Sequence, residues 1–237
     1  MQIDLSKYDH VMLDMNGTFI FDFDNFDESQ NFGATYIKAG YTNLTEQESQ
    51  RYVRQAYDHM IVRYVDEAYY HRFPSVRQAI EATAQEALSS EVVEELVDTF
   101  ALHELGILPD AHKRTLDQLA EKHPLSVLSN LWAPKQRWLD KMPSWGINQH
   151  FSDLHFSSDG NEMKPHSAFF NRALTDLQLS PKQVLYVGDS YRCDVLGAIG
   201  AGVDVVWLAG DKPAVAHRKG HIATCVDLPD FASRATY

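Results

Sequence analysis

The chain has 237 residues, of which 44% are hydrophobic and 23% charged, so it is long enough to bury a sizeable core. Its formal net charge of -12 argues against non-specific nucleic-acid binding, which needs a basic surface. No apolar run approaches the ~20 residues of a membrane span. The two cysteines form neither a zinc spacing nor a disulfide framework, and the first residues do not resemble a signal peptide. We therefore expect a cytoplasmic location.

The first half of the chain is mainly helical in pattern. Residues 9–14 predict a buried strand, and the aromatic and acidic alternation over 19–26 predicts a short extended flap. Helices are expected over 31–39, over 46–68 behind a capping box at 45–48, over 75–87, and from 90 to a stop at 106. Because no strand pattern interrupts this region, it predicts a helical insert with an acidic, solvated surface.

The second half alternates helices with short apolar strands. Helices are predicted over 111–122, 134–141, 167–177 and 193–200, and strands over 125–130, 151–156, 184–187, 203–208 and 222–226. This alternation predicts a parallel sheet with helices on both faces. We therefore expect a doubly wound α/β core formed by 1–24 and 106–237, with a helical cap over 25–105.

Polar residues stand at the predicted strand ends or in nearby loops: Asp14, Ser129 with Asn130, Lys164, and Asp189. In a parallel sheet such positions converge on one crevice. Two carboxylates from different strands suit Mg²⁺, which prefers oxygen ligands. A lysine and a hydroxyl beside them suit a phosphate, and a carboxylate there can act as a nucleophile.

These positions resemble the motifs of the haloacid dehalogenase superfamily of phosphohydrolases. Residues 14–18, DMNGT, match its first motif, Asp-x-Asp-Gly-Thr, at all positions but one. Ser129 matches the strand-ending hydroxyl of the second motif, and Lys164-Pro165 matches the third. Residues 188–194, GDSYRCD, match the fourth, and the helical region falls where the family places a cap.

The resemblance implies roles for the metal and the nucleophile. Asp14 would be the nucleophile and a Mg²⁺ ligand, Asp189 the second carboxylate ligand, and the backbone carbonyl of Asn16 would also face the metal. The implied reaction is hydrolysis of a small phosphorylated metabolite through an aspartyl-phosphate, with no role for nucleic acid or membrane.

The same resemblance implies how the phosphoryl group is held. Ser129, Asn130 and Lys164 would bind it. Asp194 would support the metal waters or Lys164, and Thr18 would brace the loop.

Asn16 departs from the family's pattern. Phosphatases of the family carry an aspartate there, which protonates the leaving oxygen and then activates water. An amide hydrogen-bonds but does not shuttle protons in this pH range. Loss of a general acid/base costs ~10²- to 10⁴-fold in rate, so we expect impaired or altered hydrolysis, mainly of alkyl phosphates.

Several alternatives stay open. The chain could be a non-catalytic phospholigand-binding or regulatory protein, Asn16 could be an engineered substitution, or Asn16-Gly17 could deamidate to an aspartate. Carbon–halogen hydrolases resemble the chain less, because the motif at 188–190 suggests metal. Carbon–phosphorus hydrolases use a cap lysine, and Lys38, alone in 25–105, is interpreted as a surface residue.

The pattern does not predict the substrate or the oligomeric state. Four aromatic residues could line the pocket or pack in the core: Phe19, Phe21, Phe23 and Trp132. His166 could touch the edge of the site, and the tyrosine and methionine stripe of the long helix is interpreted as packing.

Overall fold

The computed structural model describes residues 2–24, 26–212, 215 and 218–237. Its main feature is a six-stranded parallel sheet with the order β4-β3-β2-β5-β6-β7. The strands are β1 (Ile3–Asp4), β2 (His10–Leu13), β3 (Leu125–Ser129), β4 (Phe151–Phe156), β5 (Val184–Gly188), β6 (Asp204–Leu208), β7 (His221–Cys225) and β8 (Ala235–Thr236). The predicted parallel α/β sheet is thereby confirmed.

The central strand β2 lies between β3 and β5, and all three are buried along their whole length. Leu13 is in register with Val127 on one side and Val187 on the other. Because all three strands run parallel, Asp14, Ser129 and the residues after Gly188 emerge together at one edge.

The helices cover both faces of this sheet and form the long region between β2 and β3. They are α1 (Phe32–Lys38), α2 (Glu46–Tyr64), α3 (Val76–Thr83), α4 (Ser90–Glu104), α5 (Asp110–Ala120), α6 (Gln136–Trp145), α7 (Ser167–Asp176), α8 (Leu196–Gly200) and α9 (Leu228–Arg234). Alternating strand residues point to opposite sides: Leu13 lies in one apolar cluster and Met12 in the other. Both faces of the sheet are therefore core.

The predicted capping box at the start of α2 is present. Thr45 Oγ1 accepts a hydrogen bond from the Glu48 backbone N–H, and Glu48 accepts one from the Thr45 N–H at 2.8 Å. The helix ends at Tyr64, not at 68, because Asp66 caps a short 3-10 turn by accepting from the Ala68 N–H at 2.9 Å.

Helix α3 also ends earlier than predicted, at Thr83 instead of 87. The residues after it favour a helix by propensity, but Ala84 is extended. Leu88 then packs against the core, and Glu86 accepts a hydrogen bond from Tyr52 at 3.2 Å. Tertiary contacts override local propensity here.

Helix α6 continues to Trp145, beyond the predicted end at 141. Pro143 lies in its last turn, and Gly146, with a positive φ of 70°, closes the helix. The end of the chain adds α9 and the parallel pair β1–β8, which the sequence pattern did not predict.

The expected extended flap over 19–26 is a bent loop in its described part. Phe21 pairs with Ile107, whereas Asp22 and Phe26 have positive φ values of 54° and 52°. Phe19 and Phe26 are drawn into the core, which explains the aromatic spacing without a continuous strand.

No helix in the described residues combines the length and apolar character needed to cross a bilayer.

Candidate active site

Three of the sequence-predicted residues meet at the carboxyl edge of the sheet. Ser129, the last residue of β3, donates a hydrogen bond to Asp14 Oδ1 at 2.7 Å. Lys164 Nζ also donates to Asp14 Oδ1 at 2.7 Å. In the described part of the chain no hydrogen bond reaches Asp14 Oδ2, which leaves this oxygen available to a ligand.

Lys164 is held by a second carboxylate and a phenol. Its ammonium is 2.7 Å from Asp194 Oδ1 and 2.8 Å from the Tyr186 hydroxyl, and the side chain is only 2% exposed. Asp194 Oδ2 accepts from the Ser190 N–H at 2.7 Å, so both of its oxygens have partners. Asp194 therefore holds the Lys164 ammonium in place, and its supporting role in the reaction stays a prediction.

Asp189 completes an acidic cluster. Asp14, Asp189 and Asp194 each present an oxygen, and these atoms lie within 4.8 Å of one another. Asp194 is bound by Lys164, Tyr186 and Ser190, whereas Asp14 Oδ2 and Asp189 Oδ1 accept no hydrogen bond among the described residues, so Asp14 and Asp189 are the more available carboxylates for a cation. Oxygen ligands at this spacing fit a hard divalent ion.

Gly17 lets the first loop approach this cluster. Its φ is +85°, and a Cβ at this position would lie 2.8 Å from Asp189 Oδ1. Lys212 Nζ also contacts Asp189, at 3.0 Å from Oδ2. The backbone of Gly17 and the Lys212 ammonium therefore both lie against the Asp189 carboxylate.

Burial dominates the electrostatics of these groups. Burial raises the pKa of Asp14, the Lys164 ammonium opposes this shift, and Asp194 and Asp189 add to it. Burial, and then Asp194, raise the pKa of Asp189, against Lys212. For Lys164, burial works against the charge, but Asp14 and Asp194 overcome it and raise the pKa. A divalent cation beside Asp14 would favour its ionised form.

The first-motif loop contains two buried oxygens without a partner in the described residues: Asn16 Oδ1 and Thr18 Oγ1. Asn16 lines the same cavity as Asp14, whereas the Thr18 backbone N–H donates to Met15 O at 3.2 Å. Two predictions stay untested: that Thr18 braces the loop, and that the backbone carbonyl of Asn16 faces the metal.

Asn130 joins two loops of the site. Its Oδ1 accepts from the Lys164 N–H at 2.8 Å, and its Nδ2 donates to the Lys164 carbonyl at 3.0 Å. Nδ2 also lies 3.1 Å from the Tyr64 hydroxyl at the end of α2. These bonds fix the backbone of Lys164, so any role of Asn130 in phosphate binding stays a prediction.

A cavity of about 320 Å³ lies over these residues. At its inner end lie the predicted residues Asp14, Asn16, Ser129, Asn130, Lys164 and Asp189. Two of the aromatic candidates, Phe23 and Trp132, line it, whereas Phe19 is buried in the core. Phe21 packs on the His112 ring, and His166 caps α7, so neither is part of the cavity lining.

Sequence reasoning missed two buried polar groups of the site. Glu104, at the end of α4, is 8% exposed, lines the cavity, and accepts from the Trp132 and Ala133 N–H groups at 2.9 and 2.8 Å. Burial raises its pKa to about 7, although the two N–H groups oppose the shift. The second missed group is Tyr186. Both groups carried a signal in the sequence, because Glu104 is an acid four residues after Phe100 on an apolar helix face and Tyr186 is a tyrosine within an apolar strand.

Several curated proteins with similar sequences are phosphatases by name. The chain is 36% identical to the phosphoglycolate phosphatase of Pasteurella multocida over 105 residues, 44% of this chain and 46% of that protein. It is 30% identical to the glyceraldehyde 3-phosphate phosphatase of Methanothermobacter thermautotrophicus over 107 residues, 45% and 46% of the two chains. The matched part spans about half the length of these relatives.

Solved structures with a similar fold match almost the whole chain. The 2-haloacid dehalogenase of Pseudomonas syringae gives a TM-score of 0.67 at 19% identity, over 96% of this chain and 97% of that one. A phosphatase from Thermococcus onnurineus gives a TM-score of 0.57 at 19% identity, over 92% and 94%. At this identity the likeness concerns the fold.

The sequence profile that describes the haloacid dehalogenase-like hydrolases matches residues 19–208. This stretch contains the strands and loops that carry Ser129, Lys164 and Asp189, and it begins just after the first motif. The profile covers well over half of the sequence, and the parallel sheet carries the motif residues at its carboxyl edge. On these grounds the chain belongs to the haloacid dehalogenase-like hydrolase family.

Proposed function

We propose that the chain is a magnesium-dependent phosphohydrolase of a small phosphorylated metabolite, with turnover limited by Asn16. The observation that carries this proposal is the convergence of Asp14, Ser129, Lys164 and Asp189 in the lining of one cavity. The curated relatives, which are phosphatases of small phosphorylated compounds by name, support the substrate class.

The reaction would use Asp14 as nucleophile. Its carboxylate attacks phosphorus, the bond from phosphorus to the leaving oxygen breaks, and an aspartyl-phosphate forms. Water then attacks phosphorus and releases inorganic phosphate, which regenerates the carboxylate. The Lys164 ammonium, 2.7 Å from Asp14, offsets the negative charge of the phosphoryl group, and Ser129 supplies a hydrogen bond.

Bound Mg²⁺ would supply charge neutralisation and orientation of the phosphoryl oxygens. Asp14 and Asp189 would hold it, and Asp194 would keep Lys164 in position. We infer that residues 25–105 act as a cap over the site, since Tyr57, Ile61 and Tyr64 of α2 line the same cavity.

Asn16 favours a second candidate, a phospholigand-binding protein without turnover. Binding needs the cation site, the lysine and the hydroxyl, whereas hydrolysis of an alkyl ester also needs a proton at the leaving oxygen. Asn16 offers an amide at that place.

Hydrolysis of para-nitrophenyl phosphate with and without Mg²⁺ tests the first proposal, because this leaving group scarcely needs a proton. We expect Mg²⁺-dependent release of nitrophenol, which the isosteric variant Asp14→Asn abolishes. Calorimetric titration with MgCl₂ should give weaker binding for Asp189→Asn, which provides a readout separate from activity.

The outcomes separate the candidates. If wild type and Asn16→Asp are both inactive on a broad phosphate panel but bind phosphate with Mg²⁺, the protein is a binding protein. Release of chloride from 2-chloropropionate, dependent on Asp14 but not on Mg²⁺, would instead indicate carbon–halogen hydrolysis.

A further inference from the structure

Apart from Asp14, Asn16, Ser129, Asn130, Lys164 and Asp189, the cavity has a second set of lining residues, which we call its outer part and which differs chemically from the Asp14 end. Six aromatic side chains line it: Phe23, Phe26, Tyr57, Tyr64, Phe100 and Trp132. Two carboxylates, Asp24 and Glu104, line it as well. Among the described lining residues, Lys164 is the one lysine or arginine, and its ammonium is bound to Asp14 and Asp194 at the inner end.

The aromatic rings form a continuous wall around Trp132. Its ring centroid lies 5.2 Å from that of Tyr64, 5.8 Å from that of Tyr57 and 6.3 Å from that of Phe100. Phe26 extends the wall, stacked on Tyr57 at 5.0 Å. Such rings present negative faces, and organic cations bind to groups of them. Cations of the protein itself already use two of these rings, since Arg54 lies 5.5 Å from the Tyr57 centroid and Arg192 lies 5.0 Å from the Tyr64 centroid.

Two carboxyl groups lie in this part of the cavity, and a bound ammonium would favour the ionised form of Glu104, whose pKa is raised by burial. Glu104 is fixed by the N–H groups of Trp132 and Ala133, which keeps its carboxyl beside the aromatic wall. Asp24 is paired with the ring of His103. A substrate whose leaving group carries a carboxylate would meet like charge here, whereas a cationic leaving group would meet opposite charge.

We propose that the outer part of the cavity binds an organic ammonium group, so that the substrate is the phosphate monoester of an amino alcohol. This inference rests on the proposed phosphohydrolase function, because it assumes that the phosphate occupies the Asp14 end. The aromatic wall alone would also accept a neutral ring or alkyl group. Two carboxyl groups, in a described lining that contains no lysine or arginine besides Lys164, favour the ammonium.

Binding of the alcohol product tests this without metal or turnover. Choline and its neutral carbon isostere, 3,3-dimethylbutan-1-ol, have the same shape and differ in charge. Calorimetric titration should give a Kd for choline about 5- to 30-fold lower than for the isostere, the range expected for a desolvated cation on aromatic faces. Equal affinities would overturn the proposal.

Tyr57 offers a matched pair of variants, because no hydrogen bond involves its hydroxyl among the described residues. Tyr57→Leu removes a ring and should reduce the preference for choline by about threefold or more, whereas Tyr57→Phe keeps the ring and should retain the preference. Circular dichroism checks the fold of both. If Tyr57→Leu weakens choline and the isostere equally, the wall is merely hydrophobic and the proposal fails.

Activity of the wild type separates this proposal from the function on which it rests. With Mg²⁺, kcat/KM for phosphocholine should exceed the values for 3,3-dimethylbutyl phosphate and 2-phosphoglycolate, and acetyl phosphate should be hydrolysed because its leaving group needs little protonation. Acetyl phosphate hydrolysis without any preference for ammonium would refute the ammonium site alone. Choline preference without hydrolysis of any phosphate would refute the hydrolase alone.

Discussion

Restoring the missing carboxylate, with Asn16→Asp, is the sharpest perturbation of the site. Asn16 lines the cavity together with Asp14 and Lys164, and its Oδ1 is buried without a partner in the described residues. An aspartate has the same shape, so it can occupy this place without repacking. A positioned general acid/base contributes ~10²- to 10⁴-fold, equivalent to ~3–5 kcal/mol of the barrier.

We therefore expect Asn16→Asp to raise kcat on a primary alkyl phosphate by about 10²- to 10⁴-fold. On para-nitrophenyl phosphate the gain should stay below about tenfold, because nitrophenolate leaves without protonation. The new carboxyl should also add an ionisation to the pH profile of kcat.

Phosphate release measured at saturating Mg²⁺ is the assay, with peptide mass mapping of the wild type to exclude prior deamidation at Asn16. Equal gains on both substrates would refute a role in protonating the leaving group. No gain on either, with the fold and Mg²⁺ binding intact, would refute the proton-transfer explanation altogether.

Three further substitutions test the environment of the site. Lys164→Met leaves the carboxylates of Asp14 and Asp194 buried without their cation, so the free energy of unfolding from urea titrations should fall by about 3–5 kcal/mol near pH 8, and unchanged stability would contradict the ion cluster. Glu104 has a folded-state pKa of about 7 against an ordinary 4.5, so the folded state binds its proton more tightly. The stabilising contribution of Glu104 is present below the ordinary pKa and is lost as the pH rises through 7, a change of ~3 kcal/mol in the free energy of unfolding. Glu104→Gln should remove this pH dependence. If wild type and variant lose stability in parallel as the pH rises, the explanation is wrong. Gly188→Ala would place a Cβ 2.5 Å from Asp194 Cγ, so it should cost ~1–3 kcal/mol of stability and lower kcat. Unchanged thermal melts would contradict this close contact.

The sheet and the predicted residues at its edge could be found from the sequence because each carrier strand is short and mainly apolar, and a polar residue ends it or follows it. Asp14 after β2 and Ser129 at the end of β3 follow directly from this rule. The early end of α3 could not be found in this way, since Leu88 leaves a helix-favouring stretch for a distant part of the core.

The local sequence pattern also could not predict which residues contact the site residues. Tyr186 meets Lys164 across 22 positions of sequence, and Glu104 meets the Trp132 N–H across 28. No spacing rule links such segments, and only the folded arrangement brings them together. A polar residue on an otherwise apolar face is nevertheless a usable signal, because an unpaired buried carboxylate or phenol is costly.

The pairing of Phe21 with Ile107 has a consequence for how this protein can be taken apart. The two residues exchange backbone hydrogen bonds of 2.8 and 2.7 Å, so the chain leaves for the helical region and returns from it at one point. Paired strands at such a point lie about 5 Å apart, a gap that a tight turn spans. The two ends of the region between them are thus adjacent, and a tight turn is long enough to replace it. The region is also held to the rest of the protein by Glu104 at the loop after β3 and by the backbone bonds from Met163 N–H to Tyr70 O and from Phe73 N–H to Asn161 O, so a replacement has to supply these contacts.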